Sequence, residues 1–308
     1  MKVYHHWQGV QIADRGSSVA MGNFDGVHLG HQSVIDLARR LGAPLGVVTF
    51  EPHPREYFNP GAAPFRLMNP PARMHRLKKL NVDQLYELPF DAVMAAMSPE
   101  AFVQQVLVDG LGVSHVVVGA DFLFGAGRTG AASTLESLGR THGFGVTIAP
   151  IMATGGTEIS STAIRAALTD GRPRDAAAML GHWHRIDGPV IHGEKRGREL
   201  GYPTANMSVA GLHLPRFGVY AVKVEVLTGP HIGTYMGAAS LGIRPMFGEN
   251  TPNLETNLLD FKGDLYDAQL SVAFVDFLRP ELKFDGLQAL IDQMETDCAR
   301  AREILSRI

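Results

Sequence analysis

The 308-residue chain carries a formal net charge of -3, with 45% hydrophobic and 19% charged residues. This balance fits a globular protein with material for one large domain or two ordinary ones, and it excludes the strong basic excess of a general nucleic-acid binder. No apolar run approaches membrane-spanning length, the opening MKVYHHWQGVQIADRG lacks the apolar segment of a signal peptide, and the single cysteine, Cys298, rules out an intrachain disulfide. The expectation is a cytoplasmic protein that engages neither membrane nor nucleic acid.

In the first half, strands are predicted at Val19–Met21, Leu45–Phe50, Gln84–Leu88, His115–Val118 and Val146–Pro150. Helices are predicted at Gln32–Leu41, Pro71–Leu80, Pro99–Leu111, Thr134–Thr141 and Thr162–Thr169. Alternation of the two argues a parallel sheet with helices on both faces and ligands at the carboxyl ends of the strands. Ser98 and Pro99 mark one helix start, and Ser133 with Glu136 has capping-box spacing for the next.

After the first strand comes Gly22-Asn23-Phe24-Asp25-Gly26-Val27-His28-Leu29-Gly30-His31. Gly22, Gly26 and Gly30 permit unusual backbone angles and close approach to a ligand. The turn feeds a helix N-terminus, where free N–H groups and the dipole favour an anion. His28 and His31, three apart, converge beside that anion, which suits transfer at a phosphate. An incidental glycine loop is the weaker reading, and a metal site lacks a third ligand at a recognisable spacing.

Phe50-Glu51-Pro52-His53-Pro54 is a stiff turn after the second strand, and His53 is equally compatible with the crevice and with a plain loop. Gly125-Ala126-Gly127-Arg128-Thr129-Gly130 matches the dinucleotide pattern, but Gly119 to Phe124 separate it from the preceding strand, and no acid follows Val146–Pro150. A nicotinamide dinucleotide site is rejected on that basis. In Ile159-Ser160-Ser161-Thr162-Ala163-Ile164-Arg165 the hydroxyls suit an N-cap, and Arg165 one turn later suits phosphate oxygens.

Gly171, Pro173 and Gly181 punctuate a junction around a short helix, Arg174–Leu180, and the module boundary is placed between residues 183 and 184. Period-two alternation follows: Tyr220, Val222, Val224 and Val226 share one strand face, and Leu270, Val272 and Phe274 another. The expectation is an antiparallel sheet or small barrel, closed by a helix over Leu287–Arg307 with Leu287, Leu290, Ile291, Met294, Cys298, Ala301 and Leu305 on its packed side. Cys298 is therefore expected to be packed rather than reactive. The stretch Gly193-Glu194-Lys195-Arg196-Gly197-Arg198-Glu199-Leu200-Gly201-Tyr202-Pro203-Thr204-Ala205-Asn206 joins a glycine-rich basic loop to two hard oxygen ligands. The loop suits polyphosphate or a merely solvated hairpin. Thr204 and Asn206, two apart on an extended chain, share a face and suit Mg²⁺. Glu255, in Asn253-Leu254-Glu255-Thr256-Asn257-Leu258-Leu259-Asp260-Phe261, is a carboxylate able to accept a hydroxyl proton during phosphoryl transfer.

These strings carry a resemblance. His28-Leu29-Gly30-His31 and Ile159–Arg165 resemble, in the expected order, the two signatures of the nucleotidyltransferase superfamily. The longer string from Gly22, the Glu51-Pro52-His53-Pro54 turn, the Val118–Gly125 segment, Pro203-Thr204-Ala205-Asn206 and the Glu255 segment are similar to the motifs of the prokaryotic bifunctional riboflavin kinase/FMN adenylyltransferases. The resemblance implies an N-terminal Rossmann-like α/β adenylyltransferase module over residues 1–183. It implies a C-terminal antiparallel β-barrel kinase module with a terminal helix over 184–308. It further implies that riboflavin would be phosphorylated by ATP to FMN, and FMN then adenylylated by ATP to FAD with release of pyrophosphate.

In that scheme His28, His31 and Arg165 offset charge on the ATP phosphates, Glu255 is the kinase base, and Thr204 and Asn206 hold Mg²⁺. Gly22, Phe24, Asp25, Gly26, Gly30, His53, Asp121, Arg128, Ser161 and Thr162 line the first nucleotide and flavin site. Gly193, Lys195, Gly197, Arg198, Gly201 and Pro203 line the second. The implied partners are small molecules, riboflavin, FMN and ATP, for a monomer or weak homo-oligomer. Two departures stand out: His182, Trp183 and His184 replace the usual arginine, proline, tyrosine, and Asn257 replaces a common histidine. Other readings are a kinase whose first module has decayed, a nucleotidyltransferase for another phosphate acceptor, and a non-catalytic flavin sensor or carrier.

Overall fold

In the computed structural model, residues 1–154, 157–192, 201–246 and 249–308 are described. The chain divides into two compact units. One holds Met1–Ala63 with Arg73–Ile159, the other Pro64–Ala72 with Ser160–Ile308.

The first unit is built on a six-stranded sheet of β1 (Lys2–Tyr4), β2 (Ser18–Met21), β3 (Leu45–Glu51), β4 (Gln84–Pro89), β5 (His115–Gly119) and, two short strands later, β8 (Gly145–Ala149). The strand order is β1-β4-β3-β2-β5-β8, and every pairing is parallel. Chain order reverses direction between β2 and β5, so the turns leaving these two strands face the crevice where such sheets bind ligands. Fully buried Val19, Val48, Tyr86, Val116 and Val118 explain why the strands read as apolar runs. All five predicted strands form. The edge strand β1 was not predicted, because its three half-exposed residues carry no apolar run.

Helices α1 (Leu29–Leu37), α2 (Pro54–Phe58), α4 (Ala92–Ala96), α5 (Pro99–Phe102) and α6 (Ala132–His142) lie in this unit, while α3 (Pro70–Lys79) runs from residues of the second unit into the first. Helix α1 starts three residues before the expected Gln32, because His28 caps it, and ends early at Ala38. The Ser98 cap forms, with Ala101 N–H donating to Ser98 Oγ at 3.2 Å. Beyond α5 the chain widens into a π-helix, Val103–Leu111, which ends at left-handed Gly112. The Ser133–Glu136 capping box does not form. Helix α6 begins at Ala132, and Ala131 N–H donates to Thr134 Oγ1 at 3.2 Å, so Ser133 already lies inside the first turn.

The rejected dinucleotide pattern has a structural explanation. Strands β6 (Leu123–Phe124) and β7 (Gly130–Ala131) pair as a hairpin around Ala126–Arg128. A Cβ on Gly125, which has φ 74°, would stand 2.8 Å from the Pro99 ring, and one on Gly130 would stand 2.8 Å from Phe124 Cε1. Close packing, not phosphate, requires those glycines. The short pair β9 (Ala153–Thr154) and β10 (Thr157–Glu158) completes the unit.

In the second unit, α7 (Ser161–Thr169) and α8 (Pro173–Leu180) share a small core of Leu67, Ile164, Ala167, Leu168, Ala176 and Leu180. The sheet that follows comprises β11 (Arg185–Pro189), β12 (Ala205–Ser208), β13 (Gly218–Val226), β14 (Gly233–Met246), β15 (Glu249–Leu258) and β16 (Gln269–Arg279). Its order is β11-β16-β13-β14-β15-β12, all antiparallel. An Ile191↔Asn206 bridge joins the two ends, and Ile191 N–H donates to Asn206 O at 2.8 Å. The result is a nearly closed six-stranded barrel.

The predicted alternation holds: Val222 opposes Phe274, Val224 opposes Val272 and Val226 opposes Leu270, all buried inside. Helix α9 (Leu287–Leu305) covers part of the outer face with Ala301 and Leu305, against Val219, Ala221, Val275 and Leu278. Its packed side follows the expected stripe from Leu290 through Ile291, Met294, Cys298 and Ala301 to Leu305, all half-buried or buried, with two differences. Leu287 is exposed, whereas Asp297 is buried because Arg279 grips it with donors at 3.0 and 2.7 Å. Among the described residues, no helix is long and apolar enough to cross a membrane.

Candidate active sites

The first site grows from the turn after β2. Gly22 N–H donates to Val48 O at 3.1 Å, and Thr49 Oγ1 donates to Asn23 O at 3.2 Å, tying the turn to β3. Its backbone is strained: Phe24, Gly26 and Val27 have φ of 52°, 88° and 43°. Only glycine takes such angles without penalty, and Val27 is β-branched. Strain of about 1–3 kcal/mol per residue persists where the surroundings over-determine it, as at ligand sites. Phe24, Asp25 and Val27 are all buried, which is what holds them.

His28 is the N-cap of α1: its Nδ1 accepts from His31 N–H at 3.3 Å. A neutral His28 therefore carries its proton on Nε2. The His28 and His31 rings stack 3.6 Å apart at 17°, and Phe24 closes on His31 at 5.2 Å. Gly30 permits this, since a Cβ there would come within 3.1 Å of the His28 ring. Burial, and then the neighbouring His28, hold His31 well below the ordinary imidazole pKa, and its Nδ1 has no hydrogen-bond partner among the described residues. The paired imidazoles thus top a helix N-terminus, where an anion would be met by N–H donors and the positive end of the dipole.

Other first-unit residues surround the carboxyl ends of the same sheet. Glu51, at the end of β3, shares buried Arg73 with Glu87, at 3.1 and 2.6 Å. His53 caps α2 through Arg55 N–H, at 3.0 Å. Asp121 follows β5 and folds over Gly119, where a Cβ would lie 2.8 Å from its Oδ1. Arg128 is exposed with φ 59°. Sequence reasoning missed a run of aromatic rings. Tyr57 and Phe58 stand against Phe90 at 5.4 and 5.7 Å, Phe90 against Phe50, Phe50 against Phe102, and Phe102 against Phe124. Phe58 is 62% exposed, so the run ends in an open aromatic face beside the His53 turn.

In the second unit Ser160 caps α7, with Ala163 N–H donating to Ser160 Oγ at 3.2 Å. Ser161 and Thr162 form the first turn. Arg165 donates to Phe65 O at 3.2 Å and to Thr162 Oγ1 at 3.4 Å, which fixes its guanidinium at that helix start.

The barrel presents another polar row. Asn206 of β12, Glu255 of β15 and Ser240 of β14 are in register across three neighbouring strands, so they share one face. Their neighbours Met207, Leu254 and Leu241 point into the core, which puts the row on the outer face. Asn253 Nδ2 donates to Asn206 Oδ1 at 3.3 Å and to Glu255 Oε1 at 3.4 Å, while Asn206 Nδ2 donates to Thr204 O at 3.4 Å. Thr204 immediately precedes β12. Asn257 donates to Pro203 O at 2.8 Å, so the residue at the departure from histidine anchors the loop entering the strand. Gly201 and Pro203 are exposed there, whereas Gly193, Lys195, Gly197 and Arg198 lie outside the described residues. Cys298 of α9 faces Asn257 Oδ1 at 3.9 Å, and burial pushes its thiol up to about 11. That is the packed, unreactive cysteine expected.

Among the described residues no cluster of three His, Cys, Asp or Glu side chains is poised for a metal. The Asn206 amide oxygen and the Glu255 carboxylate, in register on neighbouring strands, are hard oxygen donors of the kind that suits Mg²⁺ sharing its shell with water and nucleotide phosphates, while Thr204 meets Asn206 through its main-chain carbonyl.

A doubly wound sheet with paired histidines at a helix start, joined to a barrel with an Asn206–Glu255–Ser240 row, defines a two-module transferase acting at phosphates. Comparison with known proteins specifies it. The FAD synthetase family matches residues 10–163 and the riboflavin kinase family matches residues 180–305. The bifunctional riboflavin kinase/FMN adenylyltransferase of Pseudomonas fluorescens is 42% identical over 94% of this chain and 93% of its own. Those of Listeria monocytogenes and Escherichia coli K12 are each 37% identical, over 96% and 95% of this chain and 94% of their own. The chain belongs to the bifunctional riboflavin kinase/FMN adenylyltransferase family, and it is a transferase with a kinase and an adenylyltransferase domain. A crystal structure described as a macrolide-efflux protein from Streptococcus pneumoniae superposes with a TM-score of 0.83, at 30% identity, covering 98% of this chain and 99% of that one. The match of both families removes the reading as a carrier, and the match of the first domain to FAD synthetase fixes the phosphate acceptor class as flavin.

Proposed function

We propose that the barrel carries the kinase step and the parallel-sheet module the adenylyl transfer, with the catalytic border between residues 183 and 184. In the kinase step Glu255 takes the proton of the riboflavin 5′-hydroxyl as its oxygen attacks the γ-phosphorus of ATP, and ADP leaves. Thr204 Oγ1 and Asn206 Oδ1 would hold Mg²⁺, which, when bound, supplies charge neutralisation on the polyphosphate. Gly193, Lys195, Gly197, Arg198, Gly201 and Pro203 would bind the nucleotide and flavin of this step. In the second step a phosphate oxygen of FMN attacks the α-phosphorus of ATP and pyrophosphate leaves, with no covalent enzyme intermediate. His28, through Nε2–H, and His31 stabilise charge on the ATP phosphates, with Arg165 as a further cation. Gly22, Asp25, Gly26, Gly30, His53, Asp121, Arg128, Ser161 and Thr162 complete that nucleotide and flavin site. Phe24 acts indirectly, by packing on His31. The open Tyr57–Phe58–Phe90 face offers the isoalloxazine ring a stacking surface.

The observation that carries this assignment is the stacked His28–His31 pair at the start of α1, directly beyond the strand where chain order reverses. We further propose a cytoplasmic monomer or weak homo-oligomer whose partners are small molecules alone, in keeping with one cysteine and a net charge of -3. Incubating the purified chain with riboflavin, ATP and Mg²⁺ and separating the flavins by chromatography tests the scheme. FMN appears first and FAD follows; unchanged riboflavin refutes it.

A further inference from the structure

The outer row of the barrel contains an amide that neither proposed reaction uses. Asn253 is 8% exposed, one strand over from Asn206, and its side-chain nitrogen reaches both Asn206 Oδ1, at 3.3 Å, and Glu255 Oε1, at 3.4 Å. The hydrogen-bond chemistry fixes every orientation along this chain. A carboxylate only accepts, so Glu255 turns the NH₂ of Asn253 toward itself. One NH₂ has two hydrogens, and the second points at Asn206, which must answer with its oxygen. The Asn206 nitrogen is then left to donate to the Thr204 carbonyl, which also only accepts, at 3.4 Å. An amide has no intrinsic preference between its two ends, so without Asn253 the 3.4 Å contact to the Thr204 carbonyl would be left alone to hold the Asn206 oxygen toward a cation.

We propose that Asn253 is a positioning residue that relays the orientation set by Glu255 to Asn206, so that the residue assigned as base also determines how well the metal ligand binds. The inference rests on the reading of Asn206 as a Mg²⁺ ligand. Groups outside the metal shell that orient its ligands alter metal affinity by about 10–100-fold. The relay implies that Glu255 affects the metal without touching it, and that an amide at position 255 serves as well as a carboxylate, because its oxygen also accepts from Asn253.

Mn²⁺ titration of the full-length chain in the presence of ADP, followed by electron paramagnetic resonance, reads metal binding without turnover. The sites scored are those that disappear in Asn206→Ala. Asn253→Ala weakens these sites about tenfold or more, Glu255→Ala weakens them equally, and the double variant is no weaker than either single one. Glu255→Gln keeps wild-type Mn²⁺ affinity while losing riboflavin phosphorylation. Wild-type affinity in Asn253→Ala or Glu255→Ala, additive losses in the double variant, or an equal loss in Glu255→Gln overturns the relay. Should Asn253→Ala fail to fold by circular dichroism, the contrast between Glu255→Ala and Glu255→Gln decides alone. If Asn206→Ala removes no Mn²⁺ site, the metal-ligand reading fails and the relay with it. If it removes one that Asn253→Ala leaves intact, only the relay fails.

Discussion

At the scale of single residues, the two stacked imidazoles and one buried histidine make separable predictions. Replacing His28 and His31 together by alanine removes charge stabilisation at the adenylyl step only. FAD formation from FMN falls by about 10²–10³-fold, while FMN formation from riboflavin is unchanged, both read by chromatography of the same samples. Phe58→Ala, at the open end of the aromatic run, raises KM for FMN about tenfold and leaves riboflavin phosphorylation alone. His184 concerns stability. It is 1% exposed, its Nε2 has no partner among the described residues, and burial, reinforced by His182 and His213, pushes its pKa down from 6.5 to about 3. Between those values the unfolded chain binds a proton that the folded chain does not. Its stabilising effect is therefore complete above pH 6.5 and is lost as pH falls toward 3. Measured by urea unfolding, the stability of wild type relative to His184→Leu declines by about 1.4 kcal/mol per pH unit below 6.5 and is flat above it. A pH-independent difference would place His184 in a solvated setting.

At the scale of elements, helix α9 is held by a buried ion pair as well as by apolar packing. Arg279 on β16 donates to both carboxylate oxygens of Asp297, and the two side chains are 16% and 8% exposed. Removing one partner leaves the other charge in a dry setting, so Asp297→Ala costs about 3 kcal/mol in chemical denaturation, whereas a surface pair such as Arg307–Glu303 costs less than about 1 kcal/mol. This helix also shows where sequence reading stops. Its existence and packed side were legible from Leu290, Met294, Ala301 and Leu305, but the buried Asp297 was not, because it is drawn inward by an arginine on another strand. The parallel sheet was legible because its strands are buried on both faces, and the barrel because Tyr220 to Val226 alternate. The His28–His31 pair was legible because a short spacing fixes its geometry. The Asn253 relay was not, since it depends on the register of β12 against β15. Nor was the aromatic run, since Phe50, Phe58, Phe90 and Phe102 converge from four separate segments. Helix α1 was misjudged at its start for a local reason: histidine is not a residue that usually announces an N-cap.

At the scale of the whole molecule, each compact unit has its own hydrophobic core, one centred on Val48, Tyr86 and Val116 and the other on Val222, Leu254 and Phe274. His28 and His31 stand in the first unit and Glu255 in the second, so a substitution at either place leaves the other unit's core untouched. The intermediate that links the two steps is FMN, a dianionic small molecule, and we propose that product release from the kinase delivers it to solution. Two variants that each lack one activity should then complement each other in a mixture. Glu255→Gln supplies the adenylyl step and the His28→Ala, His31→Ala chain supplies the kinase step. Neither alone converts riboflavin to FAD at a useful rate. An equimolar mixture does, at about half the rate of wild type at the same total chain concentration, because half of each kind of site is active. FMN accumulates transiently during the lag, and added FMN abolishes the lag. A mixture that stays silent, although each variant retains its single activity, would mean that FMN reaches the adenylyl site only within the chain that made it.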